Sequence, residues 1–233
     1  MAIRCVFTFW TLLLAGCADH VVSTGPTQHE TQSIELDKAE MARVEIRMGA
    51  GELNVAGDSP RLLDAEFIYD NSALKPVVRY TPSSFRSQLS IEQPAVHSAG
   101  PSFRYEWNLR LNNQLPLEVV TNLGAGNADM NLGGLNLRHV EVHMGVGNLD
   151  MNLRGNPQRD YDVEIHGGVG NATVRLPSTV GIVADASGAI GHIEARGLEK
   201  QAGRWVNRAS TTAKVNIHLD VKGGIGNITL IAE

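Results

Sequence analysis

The chain has 233 residues, of which 42% are hydrophobic, 19% charged and only 5% aromatic, with 24 glycines. This length supports one domain or two small ones with a real core, and the mix of few large side chains and many glycines favours a thin, repetitive β-structure over a thick globule. A net charge of −5 without any basic tract argues against nucleic acid as a partner.

Residues 1–16 read as a leader. Arg4 is their one charge, and Val6–Leu14 is an apolar run too short to cross a bilayer as a helix. Leu14-Ala15-Gly16-Cys17 resembles the lipobox of bacterial lipoproteins, where cleavage precedes a cysteine that then carries diacylglycerol. The resemblance implies lipidation at Cys17 and a membrane partner held through acyl chains, several of which anchor stably where one binds marginally. An ordinary signal peptide ending by chance in a cysteine is the plainer alternative. By the same family's rule, Ala18 in place of Asp implies the outer membrane, facing the periplasm or the surface. Cleavage would remove Cys5 as well, so the mature chain would keep Cys17 alone, with no internal disulfide and no thiol metal site. Residues 17–32 are polar and aperiodic and read as a lipidated flexible tether, in which His20 and His29 are solvated.

Residues 33–114 read as a smaller N-terminal β module. Arg43–Met48 alternates with Val44, Ile46 and Met48 on one face, Gly49-Ala50-Gly51-Glu52 interrupts it, and Leu53 and Val55 resume. Leu63, Ala65, Phe67 and Tyr69 alternate with polar residues, as a half-buried strand does. Val78–Tyr80 and Gln88–Ile91 read as strands joined by a turn at Thr81-Pro82-Ser83-Ser84, and Ala95–Ser102 as a loop. Tyr105–Leu111 is the module's last strand, with Trp107 as a packing anchor.

Residues 115–233 read as β-solenoid repeats. Six copies of one unit align on the pairs Gly49 and Gly51, Gly124 and Gly126, Gly145 and Gly147, Gly168 and Gly170, Ala189 and Gly191, and Gly224 and Gly226, the first pair standing alone in the N-terminal module. The second glycines follow one another by 75, 21, 23, 21 and 35 residues, and the last interval holds an insertion near Leu198–Thr212 that includes Trp205. A period near 21 with alternating faces predicts coil upon coil, with two short strands per coil paired with equivalents about 4.8 Å away. The glycines permit positive φ and so serve as turn residues, and the asparagine that follows in four copies tolerates the same region. The small apolar residue between each pair (Ala50, Ala125, Val146, Val169, Ile190, Ile225) is expected to plug the corner.

The unit G-[AVI]-G-N-x-x-[VM]-x-L, the stretch Leu109–Arg138 and the ending Val221–Leu230 resemble the toast-rack domain family of bacterial envelope proteins, and Met48–Asp70 resembles its N-terminal module. The family is similar to adhesin-type β-solenoids and to the C-terminal domains of cell-wall-active-antibiotic response proteins. The resemblance spans residues 33–233 and implies an all-β solenoid with Gly-x-Gly corners and a place in the cell envelope. It carries no catalytic residues over. The multi-helix anchor of the antibiotic-response relatives is replaced here by the lipid.

Several chemistries remain to be weighed. The Gly-x-Gly copies lack the third glycine and the following helix of a nucleotide loop. They also miss the calcium-binding nonapeptide repeat, since Asp129 and Asp150 fall three residues after the second glycine and the period is not nine. Glu141, Glu164, Asp185 and Asp220 form an outward column beside His143, His166, Ser187 and Lys222; a zinc or calcium site there competes with a solvated face that supplies its own counter-charges, and the latter is preferred. Asp129 and Asp150, with Glu194 further along, form a carboxylate column of the kind that cleaves glycosides, but without a sugar platform or an arginine cluster. The reading adopted is a non-catalytic binding or scaffolding protein without cofactor or metal, whose partners are the membrane, envelope proteins, cell-wall or surface polysaccharide, or another copy of itself. An accessory regulator of envelope stress and a polysaccharide-active enzyme are the alternatives.

Overall fold

The computed structural model describes residues 26–95 and 104–233. The leader, Cys17, His20 and most of the Ala95–Ser102 loop lie outside the described residues. Order begins earlier than the sequence suggested. Gln28–Gln32, read as tether, belong to strand β1 (Gln28–Ile34), because β3 (Leu63–Tyr69) offers an edge that pairs with it antiparallel from Gln28↔Tyr69 to Ile34↔Leu63. Glu30 secures the pairing by accepting from the Tyr69 hydroxyl at 2.9 Å and pairing with Lys75 at 2.9 Å. Together with burial, the Glu30 contact pushes the Tyr69 pKa up to about 12.

The body is a stack of rungs, each running along one sheet, turning at a Gly-x-Gly corner and continuing along a second. β2 (Met41–Ser59) and β7 (Leu117–Asn131) each make a whole rung. The others divide at the corner into β8 (Leu137–Val146) with β9 (Leu149–Asn152), β10 (Tyr161–Val169) with β11 (Ala172–Leu176), β12 (Gly181–Ile190) with β13 (Ile193–Arg196), and β16 (Asn216–Ile225) with β17 (Ile228–Ala232). All pair in parallel and in register, so that Val44, Val119, Val140, Val163, Leu219 and Ala184 form one buried column. This alternation seals one face from water and leaves the other wet. The first copy, alone in the sequence, is not alone in space: β2 lies directly on β7 from Ala42↔Leu117 to Ala56↔Asn131.

The segment before β7 adds one more rung and a cap. β5 (Arg86–Glu92) and β6 (Tyr105–Asn112) lie parallel to the two halves of β2. β4 (Val77–Thr81) covers β5 antiparallel, β3 covers β6, and β1 covers β3. Trp107 is fully buried at this end, edge-on to Phe67 and Tyr105 with centroids 5.6 Å from each.

Rung order departs from chain order at the other end. β16–β17, the last copy in sequence, lies between β10–β11 and β12–β13. Leu219 and Val221 of the inserted rung are larger than Ala184 and Ala186 of the rung it displaces outward, while Ile217 matches Ile182, so this order buries more apolar surface. The insertion between the copies is a hairpin, β14 (Glu199–Gln201) and β15 (Arg204–Val206), which closes the end by pairing with Val183 and Ala184 only.

Candidate functional site

The corner edge of the stack is the most repetitive surface of the molecule. The second glycines, Gly51, Gly126, Gly147, Gly170, Gly191 and Gly226, all have positive φ; at Gly147 it is +137°, and an added Cβ would lie 1.6 Å from the Gly126 carbonyl oxygen. Both the conformation and the closeness of the rung beneath demand glycine there. From Gly124 onward the first glycines lack that positive φ but still pack closely, since a Cβ at Gly168 would meet the Gly145 oxygen at 2.3 Å.

Gly191 requires a correction to the expected stack. A coil-by-coil period of 21 sets it on Gly170, but the structure sets it on Gly226, whose carbonyl oxygen a Cβ at Gly191 would meet at 1.8 Å, and sets Gly226 on Gly170. The exchange follows from the insertion of β16–β17 beneath β12–β13. Gly191 is thus an exposed corner of the outermost rung, in the bend between Ile190 and Ile193 rather than within a strand. Its copy is also the one with alanine, Ala189, at the first position.

The asparagines do not share the left-handed region; among the described residues only Asp58 and Ala202 do so without being glycine. They bond from rung to rung instead. Asn127 Oδ1 accepts from the Asn148 backbone N–H at 3.3 Å and from its Nδ2 at 3.2 Å; Asn148 serves Asn171 in the same way, and Asn171 and Asn227 accept the next backbone N–H. This ladder ties down polar groups that a sharp corner would otherwise leave unpaired.

The residue between the glycines does not plug the corner. Val146, Val169, Ile225 and Ile190 are 55%, 47%, 50% and 65% exposed and follow one another in the register of the rungs. The chain bends at the positive-φ glycine that follows, which ends the period-2 alternation, and the branched residues project into solvent. They form a ridge that grows from Ala50 and Ala125 at the capped end to isoleucine at the other.

The outward columns on the first sheet fall as the spacing implied. Glu141, Glu164, Asp220 and Asp185 are neighbours, beside His143, His166, Lys222 and Ser187. Each acid has a basic side chain beside it. His143 Nε2 lies 2.7 Å from Glu141 Oε1, His166 lies 3.9 Å from Glu164, Lys222 Nζ bonds Asp220 at 2.6 Å and Arg204 reaches Asp185 at 3.3 Å. The bond from His143 holds the Glu141 carboxyl below its usual range. The rings of His143 and His166 stack with centroids 4.9 Å apart and an angle of 8°. Among the described residues, no group of three or more His, Cys, Asp or Glu converges on a point that a metal ion could occupy.

On the second sheet Asp129 and Asp150 are direct neighbours, and the column continues through Thr173 and Thr229 to Glu194. Asp150 is held by a short hydrogen bond from Arg175. Two threonines separate Glu194 from the aspartate pair, so the three carboxylates do not form one cluster. Among the described residues no helix is long and apolar enough to cross a membrane.

This architecture defines a class: stacked β-rungs that present ladders of like side chains. The chain belongs to the toast-rack family, since residues 23–175 match the N-terminal domain of toast-rack, DUF2154. It is similar to the crystal structure of a candidate cell adhesion protein from Clostridium sporogenes, with 31% identity and a TM-score of 0.84 over 89% of this chain and 100% of that one. Candidate adhesins from Bacteroides fragilis (10% identity, TM-score 0.33, 88% of this chain and 96% of that one) and Parabacteroides distasonis (14%, 0.30, 91% and 100%) overlap too loosely to support an argument. No curated protein matches the chain.

Proposed function

We propose that this protein is a non-catalytic, lipid-anchored binding scaffold of the cell envelope, adhesin-like in use. The likeness to the Clostridium sporogenes candidate cell adhesion protein, which spans that chain's full length, carries this reading. The surface is consistent with it. Ladders of asparagine, branched apolar and paired charged side chains repeat about every 4.8 Å on a rigid stack, and such a surface binds by presenting many equivalent contacts. Glu141, Asp220 and Asp150 are engaged by the neighbouring side chains of His143, Lys222 and Arg175, as suits a structural face better than an acid–base pair. Cys17 would supply the anchor, and residues 18–27 could reach about 35 Å from the bilayer if extended.

Two measurements test the reading. Membrane fractionation of cells producing the full chain should place the wild type with membranes and Cys17→Ser in the soluble fraction; equal retention of both ends the lipid-anchor proposal. Beads coated with the full chain should retain envelope material without chemically altering it. Turnover of a polysaccharide that disappears in Asp129→Ala or Asp150→Ala would replace the scaffold by an enzyme.

A further inference from the structure

The return loops of three consecutive rungs enclose a second surface, where the second strand of one rung passes to the first strand of the next. They form a cleft of about 640 Å³, within the size range of small-molecule sites. Gly133 and Gly155 floor it because the loops pack backbone on backbone: a Cβ at Gly133 would lie 1.7 Å from the Arg154 oxygen, and one at Gly155 1.8 Å from the Gly133 oxygen. Asn113 braces one wall by donating to Asp58 Oδ1 at 2.6 Å and accepting from the Asp58 N–H at 2.9 Å, and Asn136 Nδ2 donates to the Gln114 carbonyl at 2.9 Å. The cleft is therefore held open by contacts that do not depend on a ligand.

Its chemistry is one-sided. Two guanidinium groups, Arg154 and Arg159, and the side-chain amides of Gln114, Asn136 and Asn156 line it, and no carboxylate does. Arg154 is occupied, bonding Glu233 at 2.5 Å and Asn152 at 2.9 Å. Arg159 is not. It is half-buried, its Nε is sealed from solvent without a hydrogen-bond partner, and it has no ion pair among the described residues. The sealed Nε is a donor left unsatisfied, and the positive charge of the side chain has no carboxylate against it among the described residues. The amides of Gln114 and Asn156 make no side-chain hydrogen bond among the described residues and offer both donors and acceptors.

We infer that this cleft binds a carboxylate-bearing saccharide, with the Arg159 guanidinium on the carboxylate and the amides of Gln114, Asn136 and Asn156 on the hydroxyls. A guanidinium fork matches a carboxylate with two parallel hydrogen bonds. Amide oxygens would repel a bare anion but accept from hydroxyls. No aromatic ring lines the cleft to stack on a neutral sugar. The inference rests on the scaffold reading above and names its ligand class.

Titration calorimetry on the purified full chain in detergent micelles tests it, with oligogalacturonate, a matched neutral galactose oligomer and inorganic phosphate as probes. Oligogalacturonate should bind, and Arg159→Met should weaken it about 10- to 100-fold, the worth of a charge-assisted hydrogen-bonding pair. Arg159→Lys should recover part of that loss, and Arg208→Met, exposed at the far end of the stack, should change nothing. If thermal melting shows that Arg159→Met fails to fold, Gln114→Ala should still weaken binding several-fold. Absence of binding, equal binding of the neutral oligomer, equal competition by phosphate, or indifference to both cleft variants overturns the site. Capture of other envelope material by the coated beads in the same preparation would leave the scaffold standing while the cleft proposal falls.

Discussion

The two ends of the stack are finished by opposite means. At the capped end, β5–β6 and the antiparallel cover of β1, β3 and β4 bury Trp107, Phe67 and Leu63 completely. At the distal end, a hairpin pairs with two residues of β12 only, and Ala186, Ile193 and Ala195 are merely half-buried where Val221, Ile228 and Leu230 one rung inward are sealed. A solenoid must terminate its core somewhere. Here one end does so with bulk, and the other by reducing Leu219, Val221 and Leu230 to Ala184, Ala186 and Ala195, which leaves less apolar surface to cover.

The largest test of this contrast is at the glycines. Gly147→Val places a branched side chain on a backbone at φ +137° and against a carbonyl 1.6 Å from its Cβ, and should cost more than about 4 kcal/mol, enough to prevent folding. Gly203→Ala at the hairpin tip has a φ of +89° but open space around it, and should cost only about 1–2 kcal/mol in urea unfolding. Comparable losses at the two sites would mean that the distal hairpin is as tightly constrained as the stack.

Next comes a tryptophan from each end. Trp107→Ala empties the cap and should cost about 3–5 kcal/mol. Trp205→Ala in the hairpin loses a half-exposed ring and a contact with Lys200 Nζ at 5.4 Å, for about 1 kcal/mol. Calorimetric melting of both variants measures the difference.

Within the stack, Thr121 interrupts an apolar column between Ile46 and Val142, and its hydroxyl is buried without a partner. Thr121→Val keeps the shape and removes the orphan, so it should raise stability by about 1 kcal/mol; a decrease would show that the hydroxyl is bonded in solution.

The last test is acid sensitivity at the cap. Hydrogen bonds from Ser59 and Ser33, with Arg61, hold the Asp64 pKa at about 2 against an ordinary 3.8, despite burial. The folded pKa is depressed, so the stabilisation is complete above about pH 4 and is lost as pH falls toward 2. Asp64→Asn should flatten the urea midpoint across that window and leave the slope above pH 5 unchanged.

Much of this architecture is written in the spacing of the chain. The alternation around each Gly-x-Gly-Asn unit places Val140, Val163 and Leu219 in one column and Glu141, Glu164 and Asp220 in another, and the structure keeps both. Gly191 was legible as a corner from its place in the unit, but its neighbour Gly226 was not, because 35 residues of chain separate the two. β1 was hidden because Gln28–Thr31 is polar, and an edge strand with one wet face needs little hydrophobic signal. The cleft was hidden because Gln114, Asn136 and Arg159 occupy loops without periodicity, although the repeated Gly133 and Gly155 marked where those loops stack.

The sequence by itself determined the all-β class, the corners and the identity of each column, because a period-2 pattern fixes which side of a strand is apolar. Only the tertiary structure decided the order of the rungs, since parallel rungs with equivalent inward faces are interchangeable to a pattern and distinguishable only by how much surface each order buries. It also decided that Val146, Val169, Ile225 and Ile190 face water: each precedes a positive-φ glycine, where the chain bends and the period-2 alternation that carries Val140 and Val142 inward ends.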